Sequence, residues 1–238
     1  QGFFLNGKET KFKGVCVHHD GGCLGAAMYR EVWLRRLLKL KEGGCNAIRC
    51  SHNPHMPELY DLCDEIGLLM MDEAFDEWEN PKNKWSTGHN VYPPKHEGYA
   101  EDFPEWHERD LADMVRRDRN HPSIVMWSIG NEIPEEVVVG GEELAVELSG
   151  YCHTIDPTRK VTLAHDQIAA EPYSARDAFM DKIDVVGYNY TENRYRQDHE
   201  KYPKRILYGS ETRHDLNAWK AVRDNEFIFG QFIWTGFD

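Results

Sequence analysis

Two glutamates stand directly after apolar runs in the sequence, and each is of a type that does acid, base or nucleophilic chemistry. Glu132 closes Ser123-Ile-Val-Met-Trp-Ser-Ile-Gly-Asn-Glu132, and Glu211 closes Arg205-Ile-Leu-Tyr-Gly-Ser-Glu211. An apolar run of this kind is typical of a buried strand in a parallel sheet. Either glutamate alone could serve only as a polar residue at a strand-to-helix turn. The pair makes a catalytic interpretation the stronger one.

Two carboxylates that face one cavity are suited to glycoside hydrolysis. One is protonated and assists the leaving oxygen, while the other is ionised and attacks the anomeric carbon. A separation of roughly 5 to 5.5 Å would indicate a covalent intermediate and retained configuration. Asn131 offers an amide to a ring hydroxyl, and Trp234 offers a flat face for a pyranose. Tyr190 by a hydrogen bond and Arg49 by charge would favour the ionised form of the nucleophile.

Several of these residues also have a purely structural interpretation. Trp234 fits core packing as well as sugar stacking. Tyr188 fits packing or a substrate contact better than catalysis, and His165 fits a loop scaffold as well as a site.

Eight short apolar stretches alternate with helical patterns, which predicts a (β/α)8 TIM barrel, an α/β fold, over an open doubly wound sheet. A nucleotide-binding alternative is weakened because no Gly-x-Gly-x-x-Gly or Walker sequence follows any strand. The predicted strands are 11–17, 46–50, 68–71, 124–129, 160–164, 184–190, 205–210 and 227–234, and the helical patterns are 32–40, 59–66, 106–119, 144–155 and 217–223.

Polar and aromatic residues gather at the C-terminal ends of the predicted strands, whereas the N-terminal ends carry ordinary turn residues. In a barrel these C-terminal ends form the catalytic face. We therefore expect a site at this face, with Glu132 and Glu211 entering it from the fourth and seventh strands. The residues concerned are His18, His19, Arg49, His52, Asn53, Asp72, Asn131, Glu132, His165, Tyr188, Tyr190, Glu211 and Trp234.

Composition excludes some partners. The 238 residues suit one domain, and 28 basic against 41 acidic residues give 28 − 41 = −13, which argues against nucleic acid. No apolar stretch approaches the ~20 residues of a membrane helix, and the first residues do not form a signal peptide. We expect a soluble protein without a membrane partner. The sequence does not distinguish between the bacterial cytoplasm and the periplasm.

The six cysteines include no Cys-x-x-Cys pair. Most have apolar neighbours, as free buried thiols do, so we expect reduced and structurally inert cysteines rather than a zinc site or disulfides. The long irregular region 76–103 is of a length more often functional than idle.

Five segments resemble the catalytic barrel of glycoside hydrolase family 2, which holds β-galactosidases, β-glucuronidases and β-mannosidases. The resemblance implies retaining exo-hydrolysis, with Glu132 as acid/base, Glu211 as nucleophile and Asn131 on the 2-hydroxyl. It also implies a first sugar site lined by His18, Arg49, His52, Tyr190 and Trp234, to which we add Tyr188 as a substrate contact. The segments are Phe12-Lys-Gly-Val with His18-His19-Asp20, Asn46-Ala-Ile-Arg-Cys-Ser-His-Asn-Pro54, Leu69-Met-Met-Asp-Glu-Ala-Phe75, Trp127-Ser-Ile-Gly-Asn-Glu132 and Gly209-Ser-Glu211.

The resemblance also sets expectations for domains and cofactors. We expect residues 1–238 to form a single catalytic barrel, excised from a larger protein that carries companion β-sandwich domains. Some β-galactosidases of the family bind magnesium through Glu-x-His, but here Glu77 is followed by Trp78 and Glu79, so no metal or cofactor is expected. Two segments look most like the bacterial β-galactosidases of the family, with β-glucuronidase or β-mannosidase as alternatives: Asp72-Glu-Ala-Phe-Asp-Glu-Trp78 and the loop His18-His-Asp-Gly-Gly-Cys-Leu-Gly25.

Two rival classes were considered. A metal-dependent amidohydrolase is suggested by His18, His165 and Asp238, but the sequence lacks the His-x-His on the first strand, the Lys on the fourth and the His on the sixth. A non-catalytic carbohydrate-binding barrel, or a fragment that cannot turn over its substrate, stays open because it would carry the same carboxylates.

Overall fold

Eight parallel strands close into a barrel in the computed structural model, which describes residues 2–82, 98–165 and 173–237. Every strand pairs with its neighbours in chain order, and the last pairs with the first. The predicted (β/α)8 barrel is therefore confirmed. The strands are β1 Phe12–Val17, β2 Ala47–Cys50, β3 Leu69–Glu73, β4 Ile124–Asn131, β5 Lys160–His165, β6 Val185–Asn189, β7 Ile206–Thr212 and β8 Ile228–Ile233.

Seven α-helices lie in the described residues, and five of them match the predicted patterns. Local sequence explains their ends: Pro57 opens the second helix, and Gly67 closes it in the left-handed conformation with φ 77°. The third begins three residues before the predicted Trp106, with a proline in its first turn. The fifth and sixth were not predicted, and both are short. The helices are α1 Arg30–Glu42, α2 Pro57–Ile66, α3 Phe103–Asp118, α4 Gly141–Ile155, α5 Tyr173–Met180, α6 Tyr195–Lys201 and α7 Leu216–Arg223.

The alternation of side chains along each strand divides the core into two layers. Residues that face the barrel axis, among them Phe12, Met71, Met126, Tyr208 and Phe232, fill the interior and close it as a floor. The outward residues pack under the helices in two further clusters, one large and one small. The polar residues discussed below lie above this floor, at the C-terminal ends of the strands.

A two-stranded hairpin, Phe4–Leu5 with Lys8–Glu9, precedes the barrel. Its turn residues Asn6 and Gly7 both have positive φ, 51° and 78°, as a two-residue turn matched to strand twist requires. Phe3 packs edge-on against Phe12 with ring centroids 4.8 Å apart. The hairpin therefore extends the barrel core at its N-terminal end. Sequence analysis overlooked this Asn-Gly signal.

All six cysteines are free, and four of them are buried, whereas Cys23 is exposed. Burial raises the pKa of Cys16 to about 12, against a lowering by Arg49. This thiol is therefore protonated at neutral pH. Within the described ranges, no helix is long and apolar enough to cross a bilayer.

Candidate active site

Neighbouring residues of β3 point to opposite sides of the barrel wall. The side chain of Glu73 enters the barrel and meets Arg49, whereas that of Asp72 faces outward and accepts a hydrogen bond from Tyr60 at 2.8 Å. The expectation that Asp72 lies among the polar residues of the mouth is therefore wrong. The strand period of two assigns that place to Glu73 instead.

The fully buried guanidinium of Arg49 joins the walls of the barrel. It donates to both oxygens of Glu73 at 2.7–3.0 Å, to Oε1 of Glu211 at 2.9 Å and to Oδ1 of Asn131 at 3.0 Å. Burial lowers the pKa of Arg49, but the charges of Glu73 and Glu211 outweigh it and raise the pKa well above its usual value. One permanent cation therefore holds two carboxylates from different strands.

Glu73 is a carboxylate with a full set of donors. Besides Arg49, it accepts from Ser128 Oγ and has His52 Nδ1 at 2.6 Å. Burial raises its pKa, but Arg49 and His52 more than offset this, so that the pKa is lowered overall. Because an ionised carboxylate only accepts, Nδ1 of His52 carries a proton. Nε2 of the same ring lies 3.6 Å from Glu211 Oε1.

A bulge in β4 delivers Asn131 and Glu132 to the mouth. Three residues of β4 span two of β5 between Ser128 and Asn131, which turns the Asn131 side chain inward. Gly130 sits at the bulge, where a Cβ would lie 3.0 Å from Trp78 Nε1. The next residue, Glu132, has φ 46°, and its N–H donates to Ala164 O at 2.7 Å.

Glu211 is buried at the end of β7, and Tyr190 lies beside it. Tyr190 has φ 55°, and its N–H donates to Glu211 O at 2.8 Å. Its phenol also hydrogen-bonds the Glu211 carboxylate, and burial together with that charge raises the pKa of Tyr190. Glu132 and Tyr190 thus share an uncommon backbone conformation, which tends to cluster at active sites.

Three rings form an aromatic corner at the mouth. The ring of Trp234 is parallel to that of His52, with centroids 5.2 Å apart, and His18 meets Trp234 edge-on at 4.8 Å. All three are partly exposed. A sugar ring that lies on Trp234 would therefore be flanked by imidazoles.

The structure gathers eight of the nine predicted site residues and moves one away. Tyr188 is fully buried, and its hydroxyl donates to Asp198 at 2.8 Å in the layer between barrel and helices. Our assignment of Tyr188 as a substrate contact is therefore corrected, because the residue alternates with the inward Asn189. The residues that are brought together are His18, Arg49, His52, Asn131, Glu132, Tyr190, Glu211 and Trp234.

Sequence analysis missed three polar residues that complete the network, besides Glu73. Asn189 donates to Asn131 and Glu132, Ser210 donates to Asn189, and Asp76 accepts from Asn131 at 3.1 Å. Asn189 and Ser210 each directly precede a residue already selected, and their neighbourhood at the strand ends is the signal that could have pointed to them.

Glu77 lies where some β-galactosidases bind magnesium through Glu-x-His, but here its carboxylate binds backbone N–H groups. Glu77 accepts the backbone N–H groups of Lys82 and Ala100 at 2.9 and 3.1 Å. Over the described ranges, no group of three or more His, Cys, Asp or Glu residues is arranged to hold a metal ion. His165 is buried, with Nδ1 3.3 Å from Glu136, and Asp238 lies outside the described residues.

Known proteins share this barrel. A β-galactosidase of Bacteroides ovatus, BoGH2A, is 38% identical over 319 aligned residues, covering all of this chain and 35% of that protein. A putative β-glucuronidase of Formosa agariphila is 44% identical over 161 residues, which are 68% of this chain and 14% of that protein. A crystal structure of a glycosyl hydrolase family 2 member from Bacteroides cellulosilyticus superposes with a TM-score of 0.87 and 42% identity, over 98% of this chain and 28% of that one.

This chain therefore spans about a third or less of the length of these relatives. The family model for glycosyl hydrolases family 2, TIM barrel domain, matches residues 1–235. With nearly every residue inside that match, the chain belongs to glycosyl hydrolase family 2 as its TIM barrel domain.

Proposed function

We propose that this barrel is the catalytic domain of a retaining exo-β-glycosidase that releases terminal β-linked galactose by double displacement. One observation carries the proposal: Glu132 and Glu211 close strands on different sides of one mouth and are linked by an unbroken chain of hydrogen bonds. The chain runs from Glu132 through Asn189, Asn131 and Arg49 to Glu211.

The surroundings of the two carboxylates support different roles. Glu211 is buried on a guanidinium and accepts from the Tyr190 phenol, and these two donors hold its carboxylate in place. Glu132 is half-buried, and its Oε1 accepts from the neutral amide of Asn189 at 2.9 Å. We assign Glu211 as the nucleophile and Glu132 as the acid/base, in line with the paired-carboxylate mechanism.

The charge balance of the mouth supports a transition state with positive character. Glu73 and Glu211 both contact the guanidinium of Arg49, and Glu132 is connected to it only through Asn189 and Asn131. A partly buried excess of negative charge stabilises an oxocarbenium-like centre as it develops. The same excess would repel a phosphorylated ligand.

The sugar contacts that we propose follow from the remaining groups. Both acceptor positions of Asn131 Oδ1 are filled by Arg49 and Asn189, so its Nδ2 points the other way, where Asp76 accepts one N–H. The second N–H faces His52 Nε2 at 3.4 Å, and we propose that the 2-hydroxyl of the sugar binds at this edge of the amide. Trp234, with His18 and His52 beside it, offers the apolar face for the ring.

Names of relatives support galactose as the released sugar, with glucuronic acid as the alternative. The B. ovatus relative is a β-galactosidase, whereas the F. agariphila relative is a putative β-glucuronidase. Because these relatives are longer than this chain, we also propose companion domains, of the β-sandwich type.

The deciding experiment is turnover of matched p-nitrophenyl β-galactoside, β-glucuronide and β-mannoside, with the product configuration followed by NMR. We expect the galactoside to be turned over fastest, with the β-anomer released first. Faster turnover of the glucuronide or the mannoside would mean that the released sugar is not galactose. Release of the α-anomer would contradict the retaining mechanism. Binding without turnover, unchanged by Glu211→Gln, would favour a non-catalytic carbohydrate-binding barrel.

A further inference from the structure

We propose that Asn189 is a positioning residue that decides which oxygen of Glu132 carries the catalytic proton. This inference rests on the proposed acid/base role of Glu132. Asn189 is fully buried, and its Nδ2 donates to Glu132 Oε1 at 2.9 Å and to Asn131 Oδ1 at 3.0 Å. The two protons of one amide nitrogen are thus donated to Asn131, the last residue of β4, and to Glu132, which follows it.

The orientation of the Asn189 amide is set from the neighbouring strand. Ser210 Oγ donates to Asn189 Oδ1 at 2.7 Å. A flipped amide would turn its oxygen toward the Asn131 oxygen and the Glu132 carboxylate, and acceptors would then face acceptors. Only one orientation therefore satisfies the whole network.

The position of Ser210 is itself fixed by its surroundings. Gly187 of β6 faces it, and a Cβ at this glycine would lie 2.7 Å from Ser210 Oγ. The carbonyl of Ser210 accepts from Arg49 Nη1 at 3.1 Å. Ser210 thus connects the strand that bears the nucleophile to the amide that holds the acid/base.

This geometry determines where the proton of Glu132 resides. Oε1 already accepts an N–H group, and a carboxyl oxygen that carries the proton is the weaker acceptor, so a proton on Oε1 is disfavoured. The acid form therefore carries its proton on Oε2, which leaves that oxygen to serve the departing group. A fixed position of the proton keeps it aimed at the leaving oxygen. General acid catalysis raises the reaction rate about 10²- to 10⁴-fold.

The test is Asn189→Ala, assayed with a series of β-galactosides whose leaving groups differ in acidity. A 2,4-dinitrophenyl group departs without protonation, whereas an alkyl or sugar group requires it. We expect kcat/KM to fall about 10- to 100-fold for the poor leaving groups and less than about threefold for dinitrophenolate. Asn189→Asp, which keeps the shape but removes the donor, should show the same dependence more strongly.

Two further variants separate this role from others. Asn131→Ala should lower kcat/KM equally across the series, because the 2-hydroxyl contact does not involve the leaving group. Asn217→Ala, on the exposed surface of α7, should leave all rates unchanged. An equal loss across the series for Asn189→Ala and Asn189→Asp would overturn the inference. If Glu132→Ala itself shows no dependence on the leaving group, the proposed function fails instead.

Discussion

Nη1 of Arg49 lies 2.9 Å from Oε1 of Glu211, while the other two nitrogens of the same guanidinium are held by Glu73. Arg49 and Glu73 are fully buried, and Glu211 is 4% exposed. The guanidinium is planar, and its other two nitrogens are hydrogen-bonded to Glu73, so its orientation is fixed whether or not the Glu211 side chain moves. The candidate nucleophile is therefore held at a fixed place.

Replacing Arg49 by Met should destabilise the fold strongly. The change leaves two buried carboxylates without their cation, and breaking a buried ion pair by removing one partner costs about 3–5 kcal/mol. Denaturant unfolding would measure it. Arg109→Met is the matched control. Arg109 lies 3.7 Å from Asp113, and both side chains are mostly exposed. Exposed ion pairs of this kind contribute about 0–1 kcal/mol. A loss no larger for Arg49 than for Arg109 would contradict this account.

Glu211→Gln should remove the chemical step and leave sugar binding largely intact. The amide keeps the size of the side chain but cannot attack the anomeric carbon, so kcat should fall at least about a thousandfold. Stopped assays would follow kcat, and calorimetry with galactose would follow binding. Glu226→Gln, on an exposed side chain, serves as the control. Near-normal kcat in the Glu211 variant would refute its role as nucleophile.

Two tyrosines of similar sequence position should give opposite results when changed to Phe. Tyr188→Phe removes a donor from buried Asp198, so the free energy of unfolding should fall by about 1–3 kcal/mol while kcat/KM stays within about twofold. Tyr190→Phe removes the phenol from Glu211. A hydrogen bond to a charged group contributes about 1.5–3 kcal/mol, which corresponds to roughly a 10- to 100-fold loss of kcat/KM.

The pair is tested by measuring both quantities on both variants. Lost activity in Tyr188→Phe with unchanged stability would return Tyr188 to the substrate site.

Apolar runs and their helical spacers were enough to predict the barrel, because burial on both faces imposes a recognisable pattern on parallel strands. They were also enough to find Glu132 and Glu211, since each run stops at its carboxylate. The two missed helices lack such a signal: α6 is only seven residues long, and α5 is eight. Tertiary packing decides short elements of this kind more than local sequence does.

Side-chain direction was harder to predict than strand position. Asp72 and Tyr188 were assigned to the mouth because they stand near strand ends, and each is one residue out of phase with the inward Glu73 and Asn189. The bulge at Gly130 shifts the phase again. Bulges arise from pairing with a neighbouring strand, so one strand's sequence does not reveal them.

Outside the barrel wall, Asp72 and Asp118 form a buried pair of carboxyl groups. Tyr60 donates to Asp72 at 2.8 Å, and Arg117 holds both oxygens of Asp118 at 2.6 and 2.7 Å. Burial, and then the charge of Asp118, raise the pKa of Asp72 well above its usual value. Two neighbouring buried carboxyl groups are not both charged without cost, and Asp72 is the one without a cation of its own.

Asp72→Asn should therefore flatten the pH dependence of stability. Since the folded pKa of Asp72 is raised, its contribution is fully present below the ordinary value of 3.8 and is lost as pH rises through the folded pKa. As the pH rises from 3.8 toward the folded pKa of Asp72, the wild type should lose stability relative to the variant, by up to about 1.4 kcal/mol per pH unit. Urea unfolding at several pH values would measure this, with exposed Asp224→Asn as the control. Parallel curves for wild type and Asp72→Asn would mean that no proton is bound between the two aspartates.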